Sequence, residues 1–225
     1  MTPTRGWFYP VMALVCLLIV FAGFAPTYYL RTDDAPALAA ITHVHAVVFT
    51  GWMLLFLAQV TLVATGRRAL HKQLGVVGVI VAAAMVVLGV VVSLDSARRA
   101  VVAGQGDEAL AFLIVPLGSM ISFATLIVAA VACRAQTDLH RRLMFMATVA
   151  MLPAAIGRIP NMGDPLPFTL VFLGLLCAPL VADRLAGRRL SRLSLWGGLV
   201  LYAYELGRFF SQQSEWWMAI AKRLV

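Results

Sequence analysis

Apolar runs of about twenty residues, repeated along the whole chain, constrain this sequence more than any other feature. A helix rises 1.5 Å per residue, so about twenty residues cross the roughly 30 Å hydrocarbon core of a bilayer. In lipid only a helix or a closed barrel satisfies its own backbone polar groups. Such runs fall at 7–30, 39–64, 74–94, 109–133, 143–159, 167–181 and 193–210, the fifth and sixth being short. The segments between them, RTDDAP, TGRR, AGQGDE, RAQTD, IPNMGDPLP and AGRRLSR, carry turn and breaker residues. The expectation is all-α: one integral membrane bundle over 1–225 with seven transmembrane helices. Composition agrees, because 62% of the residues are hydrophobic and only 12% charged, whereas a soluble domain exposes far more charge.

The net charge of +8 is distributed in short clusters between the runs, with no basic face interleaved with stacking aromatics. That pattern excludes a nucleic-acid partner and leaves the lipid bilayer as the reason for the charge. Counted by alternate sides, Arg5, Arg67, Arg68, Lys72, Arg134, Arg141, Arg142, Arg184, Arg188, Arg189 and Arg192 fall with the N-terminus. The expected orientation is therefore N-terminus cytoplasmic and C-terminus outside. The tail SEWWMAIAKRLV suits a short helix lying in the outer interface, or a frayed end. The run ending GFAP has small residues suited to signal cleavage but is read as an uncleaved first helix. Asp33 or Asp34 before Pro36 is placed to cap the second helix, and Thr137 or Asp138 the fifth. Cys16, Cys133 and Cys177 form no C-x-x-C pair, so neither a disulfide framework nor a thiolate metal site is expected.

Two of the four histidines recur in similar settings, ALHKQLG at 69–75 and DLHRRLM at 138–144. The topology puts His71 and His140 at one depth, opening two odd-numbered helices at the cytoplasmic boundary. A bis-imidazole haem needs two such histidines from facing helices. Gly75, one turn after His71, would let a flat macrocycle approach the backbone. The alternative is that RRALHK and LHRR are basic collars whose imidazoles meet headgroups.

The helix LHKQLGVVGVIVAAAMVVLGV resembles the H-[KR]-x-L-G helix of bacterial b-type membrane cytochromes and ferric-reductase-like membrane domains. The layout from HVHAVVF through DLHRRLM is also similar to uncharacterised bacterial multi-pass membrane families, some with relatives implicated in terminal-oxidase assembly. The resemblance covers the second to fifth helices and implies haem b between His71 and His140, in a bacterial inner membrane. Against the di-haem pattern, AFLIVPLGSM in the fourth helix has no histidine for an outer haem.

A second set of polar residues falls on the outer side. His43 and His45, in THVH, point about 200° apart in regular helix, so only an unwound segment lets both bind one ion. Copper, with thioether help from Met162, is the metal that set would take. In the seventh run Glu205 lies about 18 Å from Leu193, past the midplane, where a carboxylate is costly unless paired. Arg208 is its local partner and Arg158 a tertiary one. His43 or His45, Arg158, Glu205, Arg208, Tyr202 and Tyr204 thus form a candidate outer pocket for a quinone head, an anion or a metal, or else a structural ion pair.

H-E-x-x-H, Walker and G-x-S-x-G motifs are absent, no histidine follows His140, and the seventh run has no lysine. Metalloprotease, nucleotide-hydrolase, serine-hydrolase, ceramidase-like and retinal chemistry are not indicated. Three readings remain: a haem protein for electron transfer or redox sensing, an assembly factor or accessory subunit of a respiratory complex handling copper, and a small-molecule binder or transporter.

Overall fold

The computed structural model describes residues 6–32 and 37–225. Arg5, Asp33, Asp34 and Pro36, and with them the expected cap of the second helix, lie outside the described residues. The described chain is all-helical, without a strand. In order come α1 (Phe8–Phe24), a π-helical turn (Ala25–Tyr29), α2 (Ala40–Ala64), α3 (Arg68–Val102), α4 (Gly106–Phe112), α5 (Ile114–Ala132), α6 (Thr137–Val149), α7 (Pro153–Ile156), α8 (Pro165–Leu185), α9 (Arg192–Ser211) and α10 (Glu215–Leu224).

Five of these stretches are long and apolar enough to cross a membrane: 8–29, 40–64, 68–102, 106–132 and 165–185. They expose contiguous apolar faces, such as Val76, Ile80 and Val87 along α3, as lipid-facing helices do. Two expectations are refined. The third run is far longer than its apolar part, since α3 has 35 residues and reaches about 52 Å. The fifth run is not one helix.

α6 stops after 13 residues, about 20 Å, and the chain turns through 150–152 into α7. Pro153 lacks the N–H that would continue the ladder to Val149 O, and Leu152 N takes that carbonyl instead at 3.0 Å. Met151 N closes a similar short turn on Thr148 O at 3.2 Å. Such a break is tolerated at bundle depth only inside protein. Ala147, Val149, Ala150 and Leu152 are accordingly fully buried, in a core with Phe123 of α5, Phe145 of α6 and Phe172 of α8. The expected cap of this helix differs as well: Gln136 is the boundary residue and makes no side-chain cap, while Asp138 binds Arg141 and Arg142.

Glycine ends three helices for one reason. Gly66, Gly104 and Gly187 sit at φ +79°, +79° and +65°, closing α2, α3 and α8 with reversed turns in which the next residue's N–H reaches back to Leu62, Ala100 and Asp183 carbonyls. Helix direction therefore reverses sharply at Gly66 and Gly187 where the basic residues collect, called here the basic end, and at Gly104 opposite. At the opposite, far end, α10 is a helix docked on α4: Trp217 is buried and its Nε1 donates to Leu110 O at 2.9 Å. Together with Ala97, Leu113 and Ala221 it forms a second small core.

α1 meets the broken segment through Gly23, where an added Cβ would lie 2.2 Å from Ala155 O. Backbone cannot retreat as a flexible side chain does, so Gly23→Ala should lower stability by about 1–3 kcal/mol. The matched change Gly51→Ala, with no atom within 4 Å, should be near neutral. Thermal unfolding in detergent compares the two.

Candidate functional site

The basic end brings the two motif histidines together. His71 opens α3 and His140 opens α6; their ring centroids are 6.3 Å apart and their planes 73° apart. His140 Nδ1 lies 2.8 Å from Ala130 O of α5. The Gln59 backbone carbonyl of α2 acts on the His71 ring, whose Nδ1 is buried without a hydrogen-bond partner among the described residues. The His140 contact is the kind by which a ligating histidine is oriented, one nitrogen's bond fixing tautomer and ring angle. Gly75 keeps its face bare: an added Cβ would meet only Gln59 Nε2, at 3.9 Å.

Arg142, two residues after His140, is the residue that sequence reasoning undervalued as part of a collar. Its guanidinium is buried, with Nε on Asp138 Oδ2 at 2.8 Å, one terminal nitrogen on Ser194 Oγ of α9 at 2.9 Å and the other on Asp183 Oδ1 of α8 at 2.9 Å. Asp183 is equally buried. Burial opposes charge on Asp138, but hydrogen bonds from Arg142 and Arg141 outweigh it and hold the carboxyl below its usual range. The sequence signal was an acid near the end of one apolar run and a basic residue at the start of another, which spacing alone cannot join.

The outer residues separate into two groups of contacts. α2 is regular helix through both His43 and His45, so the unwinding that a shared copper ion needs is not found. His43 meets Tyr28, Nδ1 to hydroxyl at 3.2 Å, while the His45 ring stacks on Phe49 at 3.9 Å. Met162 packs on the apolar core. No group of three or more His, Cys, Asp or Glu suited to a metal ion occurs among the described residues. Arg158 donates to Ala154 O at 2.6 Å, lies over the Phe24 ring at 5.0 Å and acts electrostatically on His45.

Glu205 and Arg208 form the second group, on α9 facing α5. They ion-pair with each other, and Arg208 also donates to Val115 O and, at 3.0 Å, to Ser119 Oγ. The guanidinium lies 5.0 Å from the Tyr204 ring, whose hydroxyl reaches Gly118 O at 3.5 Å. Gly118 makes the room, since an added Cβ would fall 2.3 Å from Arg208 Cδ. Tyr202 packs on the core. Arg158 is not among these contacts. Glu205 and Arg208 are a buried pair in which α5 answers one terminal nitrogen of the guanidinium, while Arg208 Nε has no hydrogen-bond partner among the described residues.

Two surface hollows lie elsewhere, one around Gly104 and Asp107 at the far end, the other between α2 and α3 along Leu54, Thr61 and Leu74. Compared with protein-family models, curated proteins and solved structures, the chain matches none. The fold and site define a helical bundle of the multi-pass membrane type with a histidine pair at its basic end.

Arg142→Met leaves the buried Asp183 charge uncompensated and should cost about 3–5 kcal/mol, whereas Asp183→Asn leaves Arg142 its ion pair with Asp138 and should cost less. The double change Arg142→Met with Asp183→Leu should recover most of that in chemical unfolding. Because the folded Asp138 pKa is lowered, its contribution is present at neutral pH and lost as pH falls through that value. An unfolding series from pH 7 to low pH should therefore show an acid limb that Asp138→Asn flattens.

Proposed function

We propose that this protein binds one haem b between His71 and His140 and uses it for electron transfer or redox sensing at the basic end. The observation that carries the reading is the pair itself. An imidazole nitrogen lies about 2 Å from a metal it binds, so two rings facing through one ion have centres roughly 6 Å apart. The observed centroid separation is 6.3 Å.

The donor set favours haem over a bare ion. Zinc in structural sites takes four protein ligands and copper three or four, whereas a macrocycle supplies four of its own and asks the protein for two. Two histidines, with no third His, Cys, Asp or Glu grouped with them among the described residues, suit that count. Gly75 leaves clearance one turn from His71, and Arg68 and Lys72 lie close in sequence to pair with carboxylates of the macrocycle. The haem supplies the one-electron couple. The chain's part would be to present one nitrogen from each imidazole and to hold the His140 ring by the Ala130 carbonyl.

Topology belongs to the same proposal. α6 with α7 and then α9 complete seven crossings, which puts the basic end and the N-terminus in the cytoplasm of a bacterial cell and the C-terminus outside. Electrons would then enter and leave on the cytoplasmic side, since the far end offers no second histidine pair.

The test is an absorption spectrum of detergent-purified protein from haem-replete cells, oxidised and then reduced with dithionite. A sharp reduced α-band with stoichiometric iron is expected, lost in His71→Ala and in His140→Ala and kept in His43→Ala. A band unaltered in both of the first two variants would sink the reading.

A further inference from the structure

The hollow between α2 and α3 is built from one face of a single helix. Leu54, Ala58, Thr61 and Thr65 follow one another at steps of four, three and four residues, the spacing of a helical stripe. Leu74 of α3 and Arg67 of the turn between the helices complete the lining. Ala58 and Thr61 are short beside the leucines, so the surface dips there. The two helices meet alongside, where Gly75 faces Gln59 and Gly78 faces Leu55. Leu54 is 53% exposed, so the hollow opens outward from the bundle. Both helices are among the stretches able to cross a membrane, which makes lipid the medium outside it. From Leu54 to Thr65 it runs about 16 Å, close to the roughly 15 Å that one leaflet contributes to the hydrocarbon core.

Arg67 stands at the basic end of this hollow as a held cation. Gly66 reverses the chain at φ +79°, and the Arg67 N–H reaches back to Leu62 O at 2.8 Å. The backbone is thereby fixed while the side chain stays exposed. No Asp or Glu occurs from position 35 through 94, so neither helix carries a counter-charge beside it. Asp138 and Asp183, at the same end, are taken by Arg141 and Arg142. The ion pairs among the described residues engage Arg99, Arg141, Arg142 and Arg208, and Arg67 is in none of them. The other hollow has the opposite character, being lined by Asp107 and Glu108.

We propose that the α2–α3 hollow is a binding site for an anionic phospholipid, with an acyl chain along Leu54, Ala58 and Thr61 and the phosphate on the Arg67 guanidinium. A guanidinium takes two phosphate oxygens through parallel N–H donors, and its aliphatic stem lies on apolar surface while the charge reaches the headgroup level. Every phospholipid offers a phosphate, but a zwitterionic headgroup brings its own cation up to the arginine and loses much of the attraction. A headgroup of net negative charge does not, so the site prefers it. The apolar stripe and the cation are both needed: the first selects a lipid over a free anion, the second selects among lipids. The inference rests on the hollow and Arg67 and not on what the histidine pair binds.

The experiment is native mass spectrometry of the full chain in detergent, supplied with equal amounts of phosphatidylglycerol and phosphatidylcholine of matched chains. The wild-type chain should retain phosphatidylglycerol over phosphatidylcholine on the order of fivefold. Arg67→Gln, at an exposed and unpaired position, should bring the two lipids level. Ala58→Trp fills the hollow and keeps Arg67, and it should lower retention of both lipids by about tenfold. Both variants sit at the surface, and thermal unfolding should match the wild type. Equal retention of the two lipids by the wild type, or a preference that survives Arg67→Gln, overturns the proposal. Undiminished retention in Ala58→Trp overturns it as well, because the guanidinium would then be holding phosphate alone, as it would the inorganic ion.

Discussion

One buried guanidinium sets the geometry of the basic end. Arg142 can be inside the bundle only because Asp138, Asp183 and Ser194 take its donors, and those partners stand on α6, α8 and α9. In a low-dielectric interior an incomplete set of partners is strongly penalised, so the network specifies how deep the three helices sit relative to one another. α6 is the shortest of the central helices and has no lipid-spanning length to hold its depth. The anchor two residues after His140 supplies that constraint.

The broken α6–α7 segment shows the same logic applied to backbone. Pro153 interrupts the ladder in a place where water is absent, and the chain answers with tightened turns and close burial. Gly23 of α1 then lies against Ala155 O, so the bare backbone of one helix covers the irregular backbone of another. The bundle is thus arranged around its least regular element, with long apolar helices outside and a short, interrupted one within. Glu205 and Arg208 repeat the principle at the far end, where the Val115 carbonyl and Ser119 of α5 accept from the Arg208 guanidinium.

Much of this was legible before any coordinates. Apolar length marks seven runs, five of which are helices long and apolar enough to cross a membrane, and the TGR, AGQ and AGR tripeptides mark three reversed turns. The recurrence of a histidine beside a basic residue marks two groups at one end. The capping role of Asp138, the Glu205–Arg158 partnership and a copper ion between His43 and His45 were plausible for the same local reasons, yet the contacts of these residues lie elsewhere. Asp138 holds arginines, Arg158 lies on Phe24 beside His45, and regular helix turns His43 and His45 apart. Leu54, Ala58 and Thr61 carry no signal of their own, because such residues in an apolar run have ordinary explanations. Only the docking of α3 beside them, with Arg67 at the end, makes them a hollow.

By itself the sequence determined that this chain is a bundle of apolar helices with one strongly basic end, because length, hydropathy and charge act locally and survive any choice of neighbours. Tertiary structure alone decided which polar groups meet. Arg142 and Asp183 are 41 residues apart and still share a hydrogen bond, whereas His43 and His45 are two apart and do not face each other. Helix periodicity sends neighbours in sequence to different faces, and packing returns distant residues to the same one. A site made of such pairs therefore exists only once the helices have docked.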